Sequence, residues 1–183
     1  MNIKSLTIYC SSSDNLEEMY YLKSIEISKI IANYKLSIVY GGGKVGIMGE
    51  IAKTFMKLKV DVTGIIPDFL ATKELMFNEI NHLKIVKDMS ERKKLLFEMG
   101  DAFLVLPGGT GTLEEISEVL SWKVLGIHNK PIVFLNINNF WNPFFEQLIA
   151  ISKNNFGDKN LQTFFEVIET PNQINEILKK WKK

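Results

Sequence analysis

The chain has 183 residues, 46% of them hydrophobic, with 22 Lys and Arg against 21 Asp and Glu for a formal net charge of +1. That length suffices for one sizeable core, and near-neutrality leaves no global field to hold nucleic acid or an anionic membrane. Cys10 is the lone cysteine, so no intrachain disulfide can form, and with only His82 and His128 besides it no zinc-type ligand set can be assembled.

Short β-branched runs alternate with longer helical stretches. The pattern predicts a strand over 5–10 (SLTIYC), then a helix over 15–34 with Leu22, Ile25, Ile27, Ile30 and Ile31 near helical spacing. A second strand over 36–40 (LSIVY) runs into Gly41, Gly42 and Gly43, and a helix follows over 46–58. A third strand over 61–66 is stopped by Pro67, and 68–81 forms a longer, less regular connection. After a short strand over 83–86 comes a helix over 90–99, with Ser90 as its N-cap. The apolar strand 102–106 (AFLVL) meets Pro107, Gly108 and Gly109, and a helix over 112–125 ends near Gly126. PIVFL at 131–135 is a further buried strand; helices around 143–153 and 171–183 bracket a last one at 165–168. Lys179, Lys180, Lys182 and Lys183 read as a solvated helix end that complements the macrodipole.

Such alternation predicts one α/β domain, a Rossmann-like doubly wound parallel sheet with helices on both faces. No apolar run approaches the roughly 20 residues of a membrane-spanning helix. The N-terminal apolar stretch is too short for a signal peptide, so a cytoplasmic location is the default. In such sheets ligands bind beyond the carboxyl ends of the strands, where both glycine clusters stand.

The first cluster is GGGKVGIMG at 41–49, including Gly42 and Gly43. Its glycines let the backbone approach a ligand, and the following helix offers N–H groups and a positive dipole end to a phosphate. A plain strand-to-helix turn would also use glycine, though three in a row are more than a turn requires. The formal G-x-G-x-x-G match follows the second strand and lacks a well-placed downstream acid, which argues against a dinucleotide. The second cluster, PGGTGTLEE at 107–115, offers Gly108, Gly109, Thr110, Gly111 and Thr112 to an anion at a helix start. Glu114 and Glu115 fall in the first turn of that helix. They either complement its dipole or form a carboxylate kept ionised beside the phosphate loop. In MSERKK at 89–94, Arg92 and Lys93 are either a solvated charge run or the cations that meet an anion at the strand ends.

These residues resemble the Lonely guy (LOG) family of cytokinin-activating phosphoribohydrolases. Its P-G-G-x-G-T-x-x-E hallmark is met by Pro107 to Glu115, its G-G-G-x-x-G-[LI]-M-G loop by Gly41 to Gly49, and its Met-x-x-Arg-Lys segment by Met89, Arg92 and Lys93. Gly64-Ile65-Ile66-Pro67 and the stretch from Ser121-Trp122 to Pro131 match as well. The resemblance implies that residues 109–112 hold a 5′-phosphate and that Arg92 and Glu115 are the catalytic pair. It places Glu74 on the substrate and Lys93, Glu114 and Ser121 around the pocket. It implies a hydrolase that splits a purine nucleoside 5′-monophosphate, AMP or an N6-modified relative, into base and ribose 5-phosphate. Neither metal nor organic cofactor is implied. A homodimer is, for which the apolar helix 116–125 with Trp122 is either an interface or a buried core helix. Two departures bear on substrate choice: Ser90 where the family often has His, and Ser11 where it usually has Gly.

Three other readings compete. A carrier of a phosphorylated ligand, molybdenum cofactor included, has no need of both Arg92 and Glu115. A pyridoxal-phosphate lysine decarboxylase needs a buried Schiff-base lysine and an acid for the pyridine nitrogen, and no lysine here sits in such a setting. An NAD(P) oxidoreductase rests on the first loop alone.

Overall fold

The computed structural model describes residues 3–72 and 75–181. Among them seven strands form one sheet: β1 (Ser5–Tyr9), β2 (Ser37–Tyr40), β3 (Val62–Pro67), β4 (His82–Val86), β5 (Ala102–Val105), β6 (Ile132–Leu135) and β7 (Glu166–Ile168). The order across the sheet is β4-β3-β2-β1-β5-β6-β7, and every pairing is parallel. The six helices are α1 (Glu18–Ala32), α2 (Gly46–Lys57), α3 (Met89–Met99), α4 (Thr110–Val124), α5 (Asn142–Lys153) and α6 (Ile174–Trp181). This is the doubly wound α/β architecture that the alternation predicts. Among the described residues, no helix is long and apolar enough to cross a membrane.

The period-2 alternation of each strand splits the core between the two faces of the sheet. Leu6, Ile8, Ile38, Tyr40, Val62 and Leu104 face α1, α2 and α6. Tyr9, Val39, Ile65, Phe103, Val105 and Phe134 face α3, α4 and α5. Both faces of the central strands are buried, which is why they read as continuous apolar runs.

Strand order reverses at β1, with β2 on one side and β5 on the other. Neighbouring loops diverge at that switch point and leave a crevice. The loops that flank it follow β1, β2 and β5, so both glycine clusters border one opening.

Several boundaries differ from the sequence reading, four of them for plain local reasons. Asp88, not Ser90, caps α3: its carboxylate accepts the Glu91 N–H at 2.8 Å, and Glu91 in return accepts the Lys87 N–H at 3.0 Å. Ser90 is an exposed first-turn residue. Pro67 does not stop β3 but is its last residue, paired with Val86. Helix α4 starts two residues earlier than expected, so Thr110 and Thr112 are helical and its first turn contains no acid. The last helix begins at Ile174, after a 3-10 turn over Pro171–Gln173 held by a capping box on Thr170.

Candidate functional site

A cavity of about 310 Å³ opens at the switch point. One wall is residues 109–112 at the start of α4, another is Ser11, Ser12 and Ser13 after β1, and Gly41 and Gly43 lie across from them. Arg92 and Glu115 form its floor, and Val45, Met48, Ile66, Leu70 and Leu75 make an apolar end.

Helix α4 presents free donors to this space. The first backbone N–H groups of a helix lack intrahelical acceptors. Here Leu113 is the first to find one, on the Gly109 carbonyl at 3.0 Å, and no side chain caps the end. The glycines explain the rest. A Cβ on Gly108 would strike the Thr112 side chain, so that glycine is needed for packing. A Cβ on Gly109 or Gly111 would meet nothing within 4 Å, and neither residue has positive φ. Among the described residues nothing demands glycine at 109 and 111; a cavity that must admit a ligand against the backbone does.

The start of α2 is different. Its Gly46 N–H donates to the Asp14 carboxylate at 3.0 Å and its Met48 N–H to the Ser11 carbonyl at 3.1 Å. That helix end is taken up by the loop after β1. Of the two glycines expected at the substrate in this loop, Gly43 lines the cavity, whereas Gly42 is absent from its lining and packs on β3 with φ at +77°.

Arg92 reaches the floor from the first turn of α3 and is 8% exposed. Its Nε donates to the Ile65 carbonyl at 3.1 Å and its Nη2 to the Gly41 carbonyl at 3.3 Å. Its Nη1 lies 3.4 Å from Oε1 of Glu115, which is 5% exposed on the second turn of α4. Burial pushes the Glu115 carboxyl up to about 7; Arg92 opposes the shift and Glu114 adds to it. Burial therefore opposes the ionised form that an acid at the helix start would favour: Glu115 sits on the second turn of α4, past the free donors of its first turn. Burial likewise lifts the Tyr9 phenol and the Cys10 thiol, both within reach of Glu115's charge, so each stays protonated.

Lys93 and Glu114 are drawn elsewhere. Lys93 Nζ bridges Glu114 at 2.8 Å and Glu118 at 3.3 Å, tying α3 to α4 beside the cavity rather than lining it. Met89 is half-buried at the start of α3 and also outside the lining. Ser121 faces a different hollow, between α4 and α5, with Leu125, Phe144 and Leu148. Glu74 lies outside the described residues. His128 belongs to the core: its Nε2–H donates to the Val119 carbonyl at 2.8 Å and its Nδ1 accepts the Lys130 N–H at 3.1 Å.

Sequence reasoning missed the serine wall as a wall, the apolar end and the role of Gly41. Met48 and Ile66 stand out in the sequence only as members of motifs. Among the described residues, the cavity lining holds no lysine that could carry a Schiff base, and no three His, Cys, Asp or Glu gather as metal ligands.

Comparison with known proteins adds four findings. The family model described as "Possible lysine decarboxylase" matches residues 48–178. A cytokinin riboside 5′-monophosphate phosphoribohydrolase from Rhodococcoides fascians is 43% identical over 76% of this chain and 71% of its own length. A protein of Oryza sativa subsp. japonica named "Probable cytokinin riboside 5′-monophosphate phosphoribohydrolase" is 33% identical over 97% of this chain and 73% of its own. Among solved structures, a molybdenum cofactor binding protein from Rippkaea orientalis superposes with a TM-score of 0.73 at 16% identity, covering 97% of this chain and 96% of that one. At that identity the likeness is one of fold.

Proposed function

Because the chain belongs to the LOG family, whose model is described as possible lysine decarboxylase, we propose that it hydrolyses the N-glycosidic bond of a purine nucleoside 5′-monophosphate, releasing the base and ribose 5-phosphate. The observation that carries this reading is the pair Gly109 and Gly111, whose missing side chains open onto unpaired helix donors above a buried Arg–Glu pair. A 5′-phosphate on those N–H groups satisfies them and meets the positive end of α4. The ribose then lies over Glu115 and Arg92, and the base against Val45, Met48, Ile66, Leu70 and Leu75.

Departure of the base builds positive charge on the ribose. The Glu115 carboxylate, in its ionised form, stabilises that charge and takes a proton from the attacking water, while the departing base nitrogen takes one from solvent. Arg92 holds Glu115 in place and gives its remaining N–H bonds to the ribose hydroxyls. The phosphate anchor supplies binding energy remote from the bond that breaks. An apolar wall of this kind accepts adenine and an N6-linked apolar chain alike. A purely carrying protein gains nothing from burying an acid whose charged form is disfavoured.

A homodimer is part of the same proposal. Leu125 and Ile127 are 70% and 61% exposed at the end of α4, beside the apolar hollow that α4 shares with α5. Mass measurement in solution checks it, and a monomer at working concentration would refute it. The activity is tested by incubating the protein with AMP and with isopentenyladenosine monophosphate and resolving the products. Free base with ribose 5-phosphate is expected; a bound but uncleaved nucleotide would favour a carrier.

A further inference from the structure

We propose, resting on the hydrolase reading for its consequence in turnover, that the first glycine loop is the seat of the Arg92 guanidinium, with Gly41 as a positioning residue, and does not bind phosphate. Arg92 starts on α3 and crosses to the ends of β2 and β3. There the Gly41 and Ile65 carbonyls accept from two sides of the fork, which leaves Nη1 aimed at Glu115. A Cβ on Gly41 would overlap Nη2 of Arg92, and would stand 3.0 Å from Cε of Met48. A side chain at 41 and the guanidinium in its place are mutually exclusive.

Gly42 and Gly46 are also explained by protein neighbours, whereas Gly43 lines the cavity with its nearest neighbour, Sδ of Met48, at an ordinary 3.4 Å from where a Cβ would be. Gly42 has φ at +77° with the Ile65 backbone 3.3 Å from where a Cβ would be. Gly46 has φ at +63°, and a Cβ there would come 2.6 Å from the Ser13 carbonyl oxygen. The N–H groups of Gly46 and Met48 are spent on Asp14 and Ser11. The contrast with Gly109 and Gly111, which face open space, separates a loop that builds the floor from a loop that meets the ligand.

The seat governs Glu115. The groups that face this acid are Arg92 and Lys93 from α3, Glu114 and Glu118 on α4, Tyr9 at the end of β1 and Cys10 just after it. Arg92 is the nearest cation and the main force favouring the ionised form. Displacing it raises the Glu115 titration and lowers the ionised fraction at neutral pH.

The test compares Gly41→Ala, Arg92→Ala and the double variant. The atoms that Gly41→Ala strikes are the ends of flexible side chains, so the fold is retained. Turnover is expected to fall at least about 10-fold in Gly41→Ala, with the double variant no worse than Arg92→Ala alone, as for two residues acting through one group. The Glu115 carboxyl, followed by carbon NMR, should titrate higher in Gly41→Ala, while inhibition by inorganic phosphate stays unchanged. Weakened phosphate inhibition with an unmoved Glu115 titration would overturn the seat in favour of a phosphate cradle, and additive losses would overturn the link to Arg92. If the wild type cleaves no nucleotide, the hydrolase reading falls, yet the Glu115 titration still decides the seat. One measurement needs no variant at all: the Arg92 Nε–H should be resolved and slow to exchange in the wild type, and rapid exchange would refute its anchoring on Ile65.

Discussion

Gly111→Ala sets stability against binding. Gly111 is the second residue of α4, in helical conformation, where alanine is the better former by about 0.5–1 kcal/mol. Its Cβ would meet nothing in the chain within 4 Å, so no clash offsets that gain. For a chain of this size the melting temperature should rise by about 1–4 °C. The same methyl group stands in the cavity, over the N–H groups assigned to the 5′-phosphate. Loss of one hydrogen bond to a charged group costs about 1.5–3 kcal/mol, or about 10- to 100-fold in affinity. The expected result is a more stable protein whose KM for AMP and inhibition constant for inorganic phosphate both rise by that factor. Thermal unfolding and steady-state kinetics on the same preparation measure both sides. A variant that melts higher and keeps its KM would refute the placement of the phosphate, because the glycine would then have no ligand to admit.

Further expectations concern the floor and its supports. Glu115→Gln should abolish hydrolysis and leave nucleotide binding nearly intact, as measured by single-turnover assay and calorimetry. Turnover in the wild type should rise with pH through about 7 as the Glu115 carboxyl ionises, and a profile that falls over that range would contradict its role as a carboxylate. The same group makes a stability claim. Between its ordinary 4.5 and about 7 the folded chain holds a proton that the unfolded chain has released, so stability drops as pH rises, by about 3 kcal/mol in all. Glu115→Gln removes that drop, so the stability of the variant relative to wild type should improve from pH 5 to pH 8 in urea titrations; a constant difference would show that the acid is not so perturbed. Lys93→Met removes a cation that favours the ionised acid, and should move the rising limb of the pH profile to higher pH with no loss of phosphate affinity. Gly108→Ala should destabilise by about 1–3 kcal/mol through its clash with the Thr112 side chain, whereas Gly109→Ala, which meets nothing, should not.

What could be read in the residues was whatever depends on local order. Strand and helix alternation is written as apolar runs and 3.6-residue spacing, and the sheet followed from it. The second glycine cluster and its neighbours Arg92 and Glu115 were legible because their motif is contiguous. The α3 cap was missed by two residues, since Asp88 and Ser90 both have cap chemistry and only the backbone decides which turns outward. Ser121, Lys93 and Met89 share segments with true lining residues, but a helix turns 100° per residue and carries neighbours to other faces. Lys93 follows Arg92 directly, yet one goes to Glu114 and Glu118 on the surface and the other to the buried floor.

Harder still is the distinction between two glycine loops that look alike in sequence. Each follows a strand, each opens a helix, and each satisfies the rule that such helix ends attract anions. The rule concerns free donors, and whether donors are free is settled by other parts of the chain. Asp14 and Ser11 occupy the start of α2, and Arg92, arriving from 51 residues away, fills the space that Gly41 leaves. Among the described residues, no segment does the same at α4. The state of Glu115 has a similar origin: being acidic near a helix start suggests an ionised group, but the apolar strands beneath it withdraw water and reverse the preference. An acid poised near 7 beside one buried arginine is then a product of assembly, and the chemistry assigned to the chain depends on it more than on either motif alone.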